Sequence, residues 1–181
     1  MKQNNSTTGL KQGTVRLVPY SPAWARQFSA EKRRLKRYLP ARGPIIEHIG
    51  STAVPGLEAK PVVDIALSIP SFKRLAAITK ALTRAKYTYM GEFGLPGRHF
   101  FVYGDPVTVH LHLVEAGSEH RWRWLVFRDY LRQCPDEAAR YNRLKQTLAR
   151  RFANDRPAYT KSKSPFINAI LAKAAKKVKI S

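Results

Sequence analysis

Residues Glu47 to Ile65 read EHIGSTAVPGLEAKPVVDI, and the fold turns on them. The stretch opens as an apolar strand and breaks at Gly50-Ser51. It then crosses a tight Pro55-Gly56 segment and enters a second apolar run that carries one acidic residue, Asp64. That run, Pro61 to Ile69, is almost continuously apolar, as a central strand covered on both faces is. A glycine after a strand lets the backbone approach a ligand closely, and the Ser51 hydroxyl is placed to donate to a phosphate oxygen. Thr52 adds a second hydroxyl. A carboxylate embedded in an apolar strand needs a cation or hydrogen-bond donors, because burying it alone is expensive. The residues leave two readings open. One is a phosphate cradle beside a metal-holding aspartate; the other is a plain turn, with Asp64 paired to Lys60 or an arginine.

The flanking sequence supplies the rest of an α/β sheet. Thr14 to Pro19 reads as a short strand, and Ser21-Pro22 opens a helix that carries Trp24, Phe28, Leu35 and Leu39 on one stripe. Ser71 caps a second helix with Phe72, Leu75, Ile78 and Leu82 inward. Tyr87 to Met90 reads as a short strand, and His99 to Tyr103 with Val107 to Val114 as a hairpin. After Gly117 the texture becomes helical, over 118–133, 136–154 and 164–177, with Asp136 and Ser164 as caps. One domain over 14–177 is expected, with a sheet core at 14–115 and a helical part at 118–177. The polar stretch 1–13 is expected to be a disordered tail rather than a signal peptide.

Charge points to partners. Thirty-three Lys and Arg against twelve Asp and Glu give the 181-residue chain a net charge of +21. Such a field attracts nucleotides, other phosphorylated molecules and RNA; a solvated basic surface is the plainer reading. Cys134 is the single cysteine, which excludes an internal disulfide and fits a reducing cytoplasm. No apolar run reaches the length of a membrane span.

Two histidines stand two apart in a predicted strand, His110 and His112, so both point to one face. A pair at this spacing either chelates a metal or hydrogen-bonds within the sheet and to phosphate. Lys60, four residues before Asp64, is placed to neutralise phosphate or to pair with that aspartate. Arg98 ends a Gly-Pro-Gly loop suited to clamping an anion, or is an ordinary surface arginine. The aromatic residues Trp122, Trp124, Phe127 and Tyr130 are spaced for core packing on a helix.

The segments 48–57 and 59–65 resemble the signature of the GrpB family. Gly94-Leu95-Pro96-Gly97-Arg98, Val109 to Glu115, Phe127 to Leu131, and Tyr159 through Lys163 to Ile167 resemble later family blocks, in order. The resemblance covers about residues 14–172. It implies the nucleotidyltransferase superfamily fold, an α/β mixed sheet with flanking helices. It also implies metal-dependent nucleotidyl or phosphoryl transfer to an acceptor. On that template Gly50, Ser51 and Thr52, with Lys60 and Arg98, would bind the nucleotide's phosphates. Asp64 would be catalytic and hold a divalent metal (magnesium, manganese or zinc). The chain departs from the template at Ala66, where the superfamily places a second carboxylate, and at His110 and His112, where a later acid is usual. Those imidazoles join Asp64 as metal-ligand candidates and favour zinc or manganese over magnesium. A nucleotide- or RNA-binding module without catalysis, and a His/Asp phosphoesterase, are the competing expectations.

Overall fold

In the computed structural model, which describes residues 9–10 and 14–178, the apolar runs flanking the Gly-Ser turn form β1 (Ile45–Ile49) and β2 (Val63–Ile69). They pair antiparallel. β3 (Thr88–Tyr89), β4 (His99–Tyr103) and β5 (Val109–Glu115) complete one sheet of order β1-β2-β5-β4-β3. β2 and β5 are parallel and the other pairs antiparallel. A parallel pair needs a long crossover, here α2 (Leu75–Arg84) and the β3-β4 pair.

Alternation along β2 and β5 divides their side chains between two environments. Val63, Ile65 and Leu67, with Leu111, Leu113 and Phe101, face α2 and α1 (Ala23–Lys36) and form the main core with Trp24, Leu35, Ile78 and Leu82. The opposite face carries Asp64 and Ala66 on β2, His110 and His112 on β5, and Phe100 on β4. It is covered by the helical third: α3 (Glu119–Gln133), α4 (Pro135–Arg151), α5 (Arg156–Ser162) and α6 (Ser164–Val178).

The helices are fastened to the Gly-Ser segment itself. Val54 and Leu57 pack with Leu131, Ala138 and Tyr141 in a second apolar cluster. Arg128 donates to the His48 carbonyl at 2.8 Å, and Arg132 to the Ala53 carbonyl at 2.7 and 3.0 Å. Asp129 holds the Arg128 guanidinium at 2.7 and 2.8 Å. No helix among the described residues is long and apolar enough to cross a membrane.

Four expectations change. Thr14 to Pro19 is not a strand; Val18 makes an isolated antiparallel bridge to Ala59, exchanging both backbone hydrogen bonds with it, and the ladder goes no further. Within the tail 1–13, Leu10 bridges Val107 and the Gly9 amide donates to the Pro61 carbonyl at 2.7 Å; the other residues of that stretch lie outside those described. The helix expected to begin after Asp136 begins at Pro135, whose ring pre-sets the first helical φ. It ends at Arg151, and α5 follows, capped by Asp155, whose side chain accepts from the Ala158 amide at 3.0 Å.

Candidate functional site

Parallel register sets Asp64 beside His110 and Ala66 beside His112, so one carboxylate meets both imidazoles. Asp64 Oδ1 is 3.0 Å from His110 Nδ1 and 3.6 Å from His112 Nε2. The other oxygen packs against Gly50, where a Cβ would stand 2.6 Å from Oδ2. The lone glycine of the turn is thus an opening for the aspartate. Ser51 follows it, half-buried, beside the Tyr141 hydroxyl of α4.

Two arginines decide the state of the histidines. Arg156, at the start of α5, donates to His110 Nε2 at 3.1 Å. Arg98 donates to His112 Nδ1 at 3.1 Å. A guanidinium has donors and no acceptor, so each imidazole must offer it a lone pair and carry its proton on the nitrogen facing Asp64. Burial then pushes the His110 imidazolium down to about 4, the Asp64 hydrogen bond and charge opposing and Arg156 and Lys60 adding to it. His112 is lowered for the same first reason. Burial alone would raise the Asp64 carboxyl, but the hydrogen bonds from His110 and His112 win and hold it well below the usual carboxylate range. Nitrogen-15 NMR should therefore find His110 protonated at Nδ1 and His112 at Nε2, with His110 still neutral at pH 5. A His110 signal titrating near 6.5 would contradict this arrangement.

The remaining charge around Asp64 is positive. Lys60, Arg156 and Lys163 are half-buried, and none of them has a carboxylate ion-pair partner among the described residues. Lys163 lies over the Tyr159 ring, its Nζ 4.4 Å from the centroid. Burial lowers Lys60 to about 7, reinforced by Arg156 and Lys163 and opposed by Asp64. Burial lowers Lys163 to about 8, with Asp64 raising and Arg156 lowering it. Lys145 of α4 is 1% exposed, donates to the Glu58 carbonyl and sits against the Tyr141 ring. Burial brings it to about 7, Lys163 adding and Glu58 opposing.

Gly50, Ser51, Asp64, His110 and His112 are thus gathered at one place, with Lys60 in electrostatic contact. Two expectations are corrected. Thr52 is not in the cradle: it is buried, and its hydroxyl is 3.0 Å from His48 Nε2. His48 alternates to the core face, stacked on Phe28 with ring centroids 4.8 Å apart, and takes Thr52 with it. Arg98 is not a free anion clamp. It is 7% exposed, and besides His112 it donates to the carbonyls of Glu92 and Phe93 at 2.8 and 3.0 Å. It latches its own loop and orients His112.

A divalent metal fits this donor set poorly. The imidazole lone pairs point away from Asp64 into guanidinium groups, and the nitrogens facing it carry protons. Glu47 stands opposite Ala66 on β1 but is ion-paired to Arg121 at 2.9 Å. Among the described residues no group of three or more His, Cys, Asp or Glu side chains could hold a metal ion. Arg156 and Lys145 carried no functional signal in the sequence: each reaches its partner across more than 40 residues.

The GrpB protein family model matches residues 14–173. The chain belongs to the GrpB family. A UPF0157 protein of Pseudomonas aeruginosa, PA4798, is 39% identical over 88% of this chain and 67% of its own length. The crystal structure of GrpB from Enterococcus faecalis superposes with a TM-score of 0.81 at 36% identity, covering 90% of this chain and 99% of that one. The Cid1 poly(U) polymerase gives 0.50 at 12% identity, over 74% of this chain and 43% of that one. At that distance the likeness is one of fold alone: the sheet and its helices resemble part of that polymerase.

Proposed function

We propose that this chain is a nucleotidyltransferase-like protein that binds a nucleotide, or another phosphorylated small molecule, beside the Gly50-Ser51 turn, where the β2-β5 face meets α5. The observation that supports it is the charge balance: Arg156 reaches Asp64 through His110 by contacts of 3.1 and 3.0 Å, and Lys60 and Lys163 lie near enough to feel the same carboxylate. Cations partly withdrawn from water without counter-charges are unfavourable unless an anion joins them. The Gly50-Ser51 turn supplies the close approach and a hydroxyl donor for a phosphate oxygen. For nucleotidyl or phosphoryl transfer to an acceptor, the reaction the resemblance implies, the same cations are placed to stabilise charge growing on the phosphate oxygens. The metal-dependent form of that reaction asks for ligands the histidines do not present. Asp64 acts here by anchoring both imidazoles. The lone Cys134 suits a cytoplasmic protein.

Calorimetric titration of ATP, CTP, GTP and UTP tests the reading. Saturation at one-to-one is expected, weakened roughly tenfold by Ser51→Ala, the size of one hydrogen bond to a charged group. If no nucleotide saturates, and RNA binds in large stoichiometry with an affinity that collapses in salt, the chain is a basic scaffold instead.

A further inference from the structure

Nucleotidyltransferase chemistry ordinarily places divalent metal between carboxylates and phosphate. Here the same space is bounded differently. Among the described residues Asp64 is the one carboxylate there without an arginine or lysine ion pair, Glu47 on the same face being paired to Arg121; one Asp64 oxygen is directed to His110 and His112 and the other packs on Gly50. Position 66, next along that strand face, is alanine. Lys60 enters from the loop before β2, Arg156 from the first residue of α5, and Lys163 from the residue that closes α5. Arg156 is joined to Asp64 through the His110 ring, by contacts of 3.1 and 3.0 Å, and both lysines lie near enough to feel the charges of Asp64 and Arg156. A metal cation approaching Asp64 would meet two N–H groups and three like charges. A phosphate approaching the same region would meet one carboxylate already engaged by the imidazoles, and three basic side chains without carboxylate partners among the described residues.

We propose that Lys60, Arg156 and Lys163 take the place of the divalent metal, so that the site binds the phosphate groups of its ligand directly and without metal. The inference rests on the reading of this place as a phosphate site. It assigns the ligand a di- or triphosphate, whose several charges would draw a proton back onto Lys60 and meet all three basic side chains. It also gives α5 a purpose: this one short helix delivers two of the three cations, with the Tyr159 ring under Lys163 and the hydrogen bond from Arg156 to His110 Nε2 fixing their directions.

The test uses the full chain with inorganic pyrophosphate and ATP as probes, titrated in EDTA and in excess magnesium. One-to-one binding in EDTA is expected, no weaker than with magnesium. Arg156→Gln and Lys163→Gln should each weaken it roughly tenfold or more, as loss of a charge-assisted hydrogen bond does. Asp64→Asn separates the alternatives most sharply. Removal of its negative charge should leave pyrophosphate binding intact or tighten it, whereas a metal site would lose its principal ligand. The urea midpoint of ligand-free Lys163→Gln should equal or exceed that of the wild type, because a repelling cation has gone; Arg156→Gln also loses the hydrogen bond to His110 and serves only the binding comparison. Binding that appears only with magnesium and vanishes in Asp64→Asn overturns the proposal while leaving the phosphate site standing. No binding of either probe under either condition overturns both. Unchanged affinity in the glutamine variants, or a lowered midpoint in Lys163→Gln, would make the cations part of the fold and also overturns it.

Discussion

The urea midpoint of the ligand-free protein should climb between pH 7 and about pH 10, where most proteins are flat or declining. Lys60 and Lys145 titrate near 7 in the folded chain and at 10.5 in the unfolded one, and Lys163 near 8. Between those values the unfolded chain binds protons that the folded chain does not. Stability therefore rises with pH across the window. Lys145 is the firmest contributor because it is 1% exposed; its shift corresponds to something on the order of 4 kcal/mol. Lys60 and Lys163 are half-buried, and solvent screening reduces what they add.

The rise ends where tyrosine takes over. Burial raises the hydroxyls of Tyr87, Tyr141 and Tyr159 above their ordinary value of 10.0, so the unfolded chain ionises first and stability is lost above it. On the acid side His48 and His110 move from 6.5 to about 4, and stability falls as pH drops through that interval. Urea titrations at pH 5, 7 and 9.5 check the shape. Lys145→Met, which keeps the length of the side chain beside the Tyr141 ring, should raise the midpoint at pH 7 and flatten the alkaline limb. A wild-type midpoint that is level from pH 7 to 9.5 would mean that these lysines remain charged in the folded state. Pyrophosphate at pH 7 should reproduce part of the alkaline gain, because an anion removes the same repulsion.

The sheet was legible in the sequence because its signals are local. A continuous apolar run from Pro61 to Ile69 named the central strand, and alternation in Val109 to Glu115 put His110 and His112 on one face. Gly50 and Asp64 could be read as partners, since turn chemistry and an embedded carboxylate each stand out. What the sequence hid is long-range. The protons on the two imidazoles are set by Arg98 and Arg156, and nothing near either arginine in the chain announces a histidine partner. Thr52 looked like a phosphate hydroxyl because it follows Ser51, but one residue of the 3₁₀ turn Ser51–Ala53 rotates it to the core side. α5 falls between the helices expected over 136–154 and 164–177, and its seven residues are too few for a periodic signal. The metal expectation followed from residue types, while the outcome depends on which nitrogen carries a proton, and residue types do not specify that.

Gly50→Ala should be among the most damaging single-methyl additions in the chain. The backbone there has φ 70° and ψ −171°, a region essentially reserved for glycine. The added Cβ would lie 2.6 Å from Asp64 Oδ2 and 3.1 Å from Asp64 Cβ. The carboxylate oxygen could swing, but the Cβ belongs to a central strand hydrogen-bonded on both sides and cannot follow. Backbone strain of about 1–3 kcal/mol and the displaced carboxylate act together. Displacement also removes the acceptor of His110 Nδ1 at 3.0 Å, leaving a buried imidazole N–H unpaired at a further cost of about 1–3 kcal/mol. A total near 4 kcal/mol is expected from the urea midpoint. Gly56→Ala provides the comparison: its φ is +80° and nothing stands within 4 Å of its added Cβ, so it carries strain without collision. The difference between the two variants isolates the contact with Asp64. It should be accompanied by loss of the fixed His110 tautomer in the NMR spectrum of Gly50→Ala. Equal destabilisation by the two substitutions, with His110 unmoved, would show that Asp64 has room to shift and that the glycine serves the turn alone.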